Sequence, residues 1–154
     1  DKHLANPNVE VRKEIASCLH WLPKRDVQRV WGLVQRLAQD QDEDVRSAMA
    51  FQFCNLSDFP QLWPIAQQVA QSDPSADVRR EALGGMASMM KPEQAAALYG
   101  QVLAADQSQE TGWAVLNGLR HHREHPQAKK LLTQLANAPY EGLANAAREE
   151  LTTR

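Results

Sequence analysis

Residues 37–53, LAQDQDEDVRSAMAFQF, decide the fold, because the same succession of residue types recurs along the chain. A Leu-Ala pair is followed by an acidic turn, a Val-Arg pair and then an apolar residue at every fourth position. The Leu-Ala mark or a close variant begins at Leu4, Leu37, Val69, Leu103 and Leu135, at intervals of 33, 32, 34 and 32 residues. Five copies in phase at this period are typical of an array of helical repeats.

The Val-Arg pair supports the same phase. It occurs at Val11-Arg12, Val45-Arg46 and Val78-Arg79, at intervals of 34 and 33 residues, and each copy directly follows an acidic residue. The small variation in spacing falls in the loops, where insertions cost little free energy.

Each repeat divides into two helices, which we call A and B. In the second repeat the A helix carries one apolar stripe, formed by Val27, Val30, Trp31, Val34 and Leu37. The B helix begins with acidic residues, which the helix dipole favours in a first turn, and places Val45, Met49 and Phe53 along one side.

Prolines mark the boundaries between repeats. Those that separate a B helix from the next A helix are Pro23, Pro60, Pro92 and Pro126. They predict one domain, 1–154, with units at about 4–23, 24–58, 59–92, 93–126 and 127–154. Pro64 interrupts the A helix at 59–71 and predicts a late start or a kink there.

We expect nine main helices, because the first unit has only a B helix, at 9–22. The missing A helix suggests either a fragment of a longer solenoid or a short N-terminal cap.

Composition favours the same all-α reading. The 154 residues are 43% apolar and 23% charged, enough to bury a core, and 22 Ala, 17 Leu and 15 Gln outweigh 12 Val and Ile together. The net charge of -2 offers no basic surplus for nucleic acid. Cys18 and Cys54 form no CxxC or Cys/His cluster, and no apolar run is long enough to span a bilayer. A cytoplasmic location is predicted.

The acid, then Val-Arg, then small and apolar residues along helix B resemble the HEAT-repeat family, and the short period is similar to its phycobilisome-lyase-like class. The resemblance implies an all-α, right-handed α-α superhelix, an α-solenoid of about four and a half helical-hairpin repeats. B helices would line its concave side.

The resemblance also implies a polar ladder between adjacent repeats. Its members would be the loop acids and the helix-B arginines, namely Asp40, Asp73, Arg12, Arg46 and Arg79. The fourth repeat has Thr111-Gly112 and the fifth Leu143-Ala144 in place of Val-Arg, so the ladder should fade toward the C-terminus.

Motifs of enzymatic chemistry are absent from the sequence: it has no Gly-rich phosphate loop, no GxSxG and no HExxH. His121 and His125 are spaced like metal ligands, but they end a helix beside Arg120 and Arg123, where cations complement the dipole. We therefore expect no metal and no cofactor. The pair Gly84-Gly85 predicts close helix packing.

Helical geometry separates a second face of the B helices from the core side. Phe51 lies at about 240° and Trp113 at about 200° from the Val45 position, whereas the core side centres near about 40°. The predicted binding stripe on the concave surface comprises Ser17, His20, Ser47, Phe51, Cys54, Arg80, Gly84, Trp113, Asn117, Arg120 and Arg148. Its aromatic rings are either partly covered by neighbouring B helices or available to a partner.

The leading functional hypothesis is a non-catalytic scaffold that binds another protein on this stripe. Arg80 and Arg120 suit an acidic segment of that partner; a membrane, nucleic acid or small molecule is not expected. The alternative implied by the resemblance is a bilin lyase or its chaperone, for which only Cys54 and His20 are placed to act. A DNA-backbone reader is the third hypothesis, but the stripe offers only three separated arginines.

Overall fold

The computed structural model describes residues 2–22, 26–56 and 58–153, so the boundary predicted at Pro23 lies outside the described residues. Within these ranges the chain forms nine α-helices and no strand. The helices are α1 (Val9–Ser17), α2 (Val27–Leu37), α3 (Glu43–Phe51), α4 (Trp63–Ser72), α5 (Ala76–Met86), α6 (Pro92–Ala105), α7 (Gln109–Leu119), α8 (Pro126–Leu135) and α9 (Glu141–Thr152). The predicted all-α fold of repeated helical hairpins is confirmed.

One helix boundary differs from the sequence pattern and another agrees with it. The first B helix was expected over 9–22, but α1 ends at Ser17 and a short 3-10 helix, Leu19–Trp21, follows it. The late start expected at Pro64 is confirmed: a 3-10 turn at Pro60–Leu62 precedes α4, so Pro64 occupies the first α-helical turn, where a missing N–H costs nothing.

Polar side chains fix where the first four B helices begin. The N-cap residues Asn8, Asp42, Ser75 and Ser108 each accept a hydrogen bond from a backbone N–H of the first turn. These N–H groups have no partner inside the helix, so each cap both starts the helix and satisfies a donor.

The first compact unit, Asp1–Met89, is built on its B helices. Helix α3 packs between α1 and α5, and α4 packs along α5. The predicted core positions Val45, Met49 and Phe53 are fully buried. Gly85 is also buried, and a Cβ there would lie 2.8 Å from the carbonyl oxygen of Ala50, so close packing is confirmed for this glycine.

The second compact unit, Met90–Arg154, contains the hairpins α6/α7 and α8/α9. Helix α6 packs on α7 and α8, and α7 also contacts α9. Tyr99 is the largest of its fully buried side chains, and burial raises the pKa of its hydroxyl. Leu116, Leu119 and Leu132 complete the interior of this unit.

None of the described helices is both long and apolar enough to cross a bilayer.

Core truncation should separate the buried and exposed faces. Met49→Ala in α3 or Leu119→Ala in α7 should lower the free energy of unfolding by about 2–5 kcal/mol, because each side chain is fully buried and leaves a cavity. The exposed control Gln35→Ala should change it by less than about 0.5 kcal/mol. Urea denaturation followed by circular dichroism measures both; equal losses would show that the faces are assigned wrongly.

Candidate interaction surface

Bidentate arginine–aspartate pairs join successive repeats of the first unit. Arg12 donates from Nε to Oδ2 of Asp40 at 2.7 Å and from Nη2 to Oδ1 at 3.0 Å. Arg46 repeats this pattern on Asp73, at 2.8 and 3.1 Å. Each arginine belongs to a B helix and each aspartate to the turn of the following repeat, so every pair is a rung between neighbouring repeats.

Each arginine also closes its own A–B turn. The third guanidinium nitrogen, Nη1, donates to a backbone carbonyl six residues upstream: Asn6 for Arg12, Asp40 for Arg46 and Asp73 for Arg79, at 2.7, 2.9 and 2.6 Å. The aspartates use a second lone pair in the same turns, since Asp40 Oδ1 accepts the N–H of Asp42 at 2.9 Å. For Arg12 and Arg46, one side chain therefore fixes a turn and a neighbouring repeat at once, which confirms these two rungs of the predicted ladder. Arg79 closes its own turn.

Burial makes these pairs sensitive to the loss of either partner. The side chain of Asp73 is only 4% exposed and that of Arg46 11%. Burial by itself raises the pKa of Asp40, but hydrogen bonds from Arg12 and the backbone of Asp42, with the charges of Arg12 and Arg46, outweigh it and lower that pKa. The same hydrogen bonds, to Asp40 and Asp73, raise the pKa of Arg12 and Arg46.

The ladder is replaced by apolar packing inside the second unit. Gly112 stands where the arginine would be, and a Cβ there would collide with the Leu143 side chain of α9. Ala138 stands at the equivalent of the aspartate. In the intervening turn, the hydroxyl of Thr111 donates to Oδ2 of Asp106 at 2.6 Å. The expected fading of the ladder is confirmed between α7 and α9.

The outward side of α1, α3 and α5 takes no part in the rungs and is open to solvent. We call this surface of the first unit the B face; all its residues are exposed or half-buried, and they are Glu10, Lys13, Glu14, Ser17, Asp44, Ser47, Ala48, Phe51, Asp77, Arg80, Glu81 and Gly84. The ammonium of Lys13 lies 3.3 Å from a carboxylate oxygen of Glu10 and 3.7 Å from one of Asp44. One cation thus bridges α1 and α3 on this face.

Phe51 is the apolar centre of the B face. Its side chain is 57% exposed. It lies on the middle helix, and the equivalent positions on α1 and α5 are the small residues Ser17 and Gly84. A Cβ at Gly84 would have no atom within 4 Å, so Gly84 belongs to the open face and the close packing expected of it is wrong.

Two predicted stripe residues lie beyond Phe51 at the ends of the helices. Nδ1 of His20 is 3.1 Å from Oε1 of Gln52, which also accepts from Asn55 Nδ2 at 3.1 Å. The thiol of Cys54 donates to the carbonyl of Phe51 at 3.2 Å. His20 thus links the ends of two successive B helices, whereas the Cys54 bond stays within one helix end.

Trp21 was missed by the sequence reasoning. It is 78% exposed and its ring centroid lies 4.7 Å from that of His20. The available signal was its position ten residues after Val11, at about 280° on the helical wheel and so near Phe51.

The second unit presents its stripe residues differently. Trp113 is half-buried, and a Cβ at Gly142 on α9 would lie 3.9 Å from its Cζ2. Arg120 donates to Glu150 at 2.7 Å and to the exposed Asn117 at 3.1 Å.

The predicted direction of Arg148 in the stripe is wrong. It was expected to point away from its own A helix, but its Nη2 donates to the carbonyl of Ala136, directly after α8, at 2.7 Å. The long side chain bends back across its own hairpin, which a wheel angle at the Cα position does not show.

The histidine cluster of the second unit is dispersed. Arg120–His122 forms a 3-10 turn, His121 is exposed, and His125 precedes α8 with its Nε2 3.5 Å from Glu93. No group of three or more His, Cys, Asp or Glu side chains among the described residues could hold a metal ion.

A groove of about 440 Å³ lies between α2 and α4 of the first unit. Trp31, Ile65 and Val69 form its apolar wall. The charged residues that line it, Asp40, Arg46 and Asp73, are already paired in the two rungs and therefore serve the structure.

Comparison with known families agrees with this architecture. The family model for HEAT repeats matches residues 30–106 and 64–152, which together span most of the chain. The chain therefore belongs to the HEAT-repeat family, whose members generally mediate protein–protein interaction. No curated protein and no solved structure matched it.

The Asp40 rung predicts a defined response to acid. Because the pKa of Asp40 is lowered in the folded state, its stabilisation is fully present above its ordinary pKa of 3.8 and is lost as pH falls through the folded value. Asp40→Asn should therefore be less stable at pH 7 and lose less free energy of unfolding between about pH 5 and about pH 2. Urea melts across that range measure the difference.

The matched control is Asp44→Asn, since Asp44 is mostly exposed and lies 3.7 Å from Lys13. Its pH profile should stay close to that of the native chain. Parallel profiles for the native chain and Asp40→Asn would contradict the role given to this rung.

Proposed function

We propose that the protein is a non-catalytic scaffold that captures a protein partner on the B face of its first unit, with Phe51 as the anchor. The observation that carries the proposal is the exposure of this ring at the middle of a three-helix surface, with small residues at the equivalent positions on both sides. An aromatic side chain supplies a large contact area for the loss of only two torsions.

The surroundings of Phe51 favour a fixed surface. The rung from Arg12 ties α1 to the turn before α3, and the rung from Arg46 ties α3 to the turn before α5. Three helices held in this way present a preorganised surface, so little conformational entropy is lost when a partner docks.

The two alternative functions find less support in the contacts. Cys54 and His20, the residues available to a lyase, hydrogen-bond to Phe51 and Gln52 as parts of helix ends. The arginines that a DNA-backbone reader would use are already engaged: Arg80 with Asp77, Arg120 with Glu150 and Arg148 with a carbonyl.

Truncating the anchor should weaken capture without unfolding the chain. Phe51→Ala should raise the Kd for a protein partner by about 30-fold or more, as expected for the loss of about 2 kcal/mol at an anchor. Trp113→Ala should have a smaller effect, because α9 already covers part of that ring. Val27→Ala is the control, since Val27 is an exposed apolar residue of α2 outside the B face.

The partner can be trapped with a photo-crosslinking amino acid placed at Ser47 on the B face, or at Gln35 on α2 for comparison. Proteins crosslinked from position 47, and lost on adding Phe51→Ala but kept with Val27→Ala, would support the proposal. Capture that survives Phe51→Ala in a folded chain would overturn it.

A further inference from the structure

The B face is more acidic than the chain that carries it. It holds five carboxylates, from Glu10, Glu14, Asp44, Asp77 and Glu81, and two cations, a net charge of -3 on three helices, whereas the whole chain carries -2. The remainder of the protein is therefore close to neutral. The excess of negative charge coincides with the exposed aromatic ring.

Both cations of the B face are already neutralised. Lys13 lies between Glu10 and Asp44, and Arg80 pairs with Asp77 on its own helix. The expectation that Arg80 and Arg120 would receive an acidic segment is not supported by these contacts, because Arg120 is likewise paired, with Glu150. An acidic partner would have to displace existing carboxylates.

Two carboxylates of the face remain available. Glu14 on α1 and Glu81 on α5 occupy equivalent positions, are exposed, and take part in no ion pair among the residues that the structure describes. Ala48 lies at the equivalent position on α3, one turn before Phe51. The face therefore presents a ring with a free negative charge on the helix to either side.

We infer that the B face binds a basic segment of its protein partner, in which an apolar residue packs on Phe51 and flanking Lys or Arg side chains pair with Glu14 and Glu81. This inference rests on the proposed function and adds the chemistry of the partner. Packed helices lie about 8–10 Å apart. In a polyproline-II segment three residues make one turn and span about 9 Å, so cations three residues to either side of an apolar residue lie on its side of the chain and match the helix spacing.

Defined peptides test the inference with the full chain. The probe is a fluorescein-labelled synthetic peptide with one Leu and a Lys three residues to either side, in a Gly/Ser background. A second peptide has Glu in place of both Lys, and a third has Ser in place of Leu. Fluorescence anisotropy gives the Kd of each peptide. Changes in the NMR chemical shifts of the protein's backbone amides show where each peptide binds.

The Lys peptide should bind with shifts concentrated in α1, α3 and α5, and the Glu peptide should bind at least about 10-fold more weakly. The double variant Glu14→Gln with Glu81→Gln should weaken the Lys peptide by about 5-fold or more, and its effect should shrink in about 0.3 M salt. Glu149→Gln on α9 is the matched control, because it removes an exposed carboxylate outside the B face.

Equal binding of the Lys and Glu peptides, an unchanged Kd in the double variant, or shifts outside α1, α3 and α5 would overturn the inference, as would no shifts at about 1 mM Lys peptide. The proposed function fails separately. If Phe51→Ala abolishes capture of the crosslinked partner while the double variant and added salt leave capture unchanged, the B face is the docking site but its partner is not basic.

Discussion

The guanidinium of Arg46, held between the carboxylate of Asp73 and the carbonyl of Asp40, is the constraint on which the rest of the first unit depends. Asp73 is buried, and a buried carboxylate is costly unless it is paired and hydrogen-bonded. The bidentate pair meets this requirement in one relative position of the two repeats, because both N–H···O bonds must form together. Apolar packing of α3 on α5 supplies cohesion, and the rung selects the register.

The same arrangement determines the chemistry of the B face. Each of the first three B helices directs the arginine after its key valine into its own A–B turn, while the acid before that valine remains outside. First-turn acids are also favoured there by the helix dipole. The positively charged arginines are therefore bound within the turns, and the negatively charged first-turn acids remain on the outward surface around Phe51. The structural ladder and the proposed preference for a basic partner follow from one sequence pattern.

Most of what the sequence could predict came from the alignment of its repeats. Once Val11, Val45 and Val78 were aligned, the buried side of each B helix and the outward direction of Phe51 followed from helical geometry, whereas the partners in the ladder were implied by the resemblance to the HEAT-repeat family. Trp21 was within reach of the same geometry, since its position on the helical wheel lies near that of Phe51, although its helix changes to a 3-10 turn after Ser17. Arg148 escaped because a long side chain reaches acceptors far from the direction of its Cα–Cβ bond.

A double-mutant cycle on Arg46 and Asp73 tests the central role of the rung most directly. Arg46→Met, Asp73→Ala and the double variant are compared with the native chain by urea denaturation. Each single change leaves the charge of the other, largely buried partner unpaired, whereas the double variant removes both charges, so it should lose less stability than the two single losses together, with a coupling energy of about 1–3 kcal/mol. Strictly additive losses would contradict the account, because the two side chains would then contribute independently and the rung would not join the repeats.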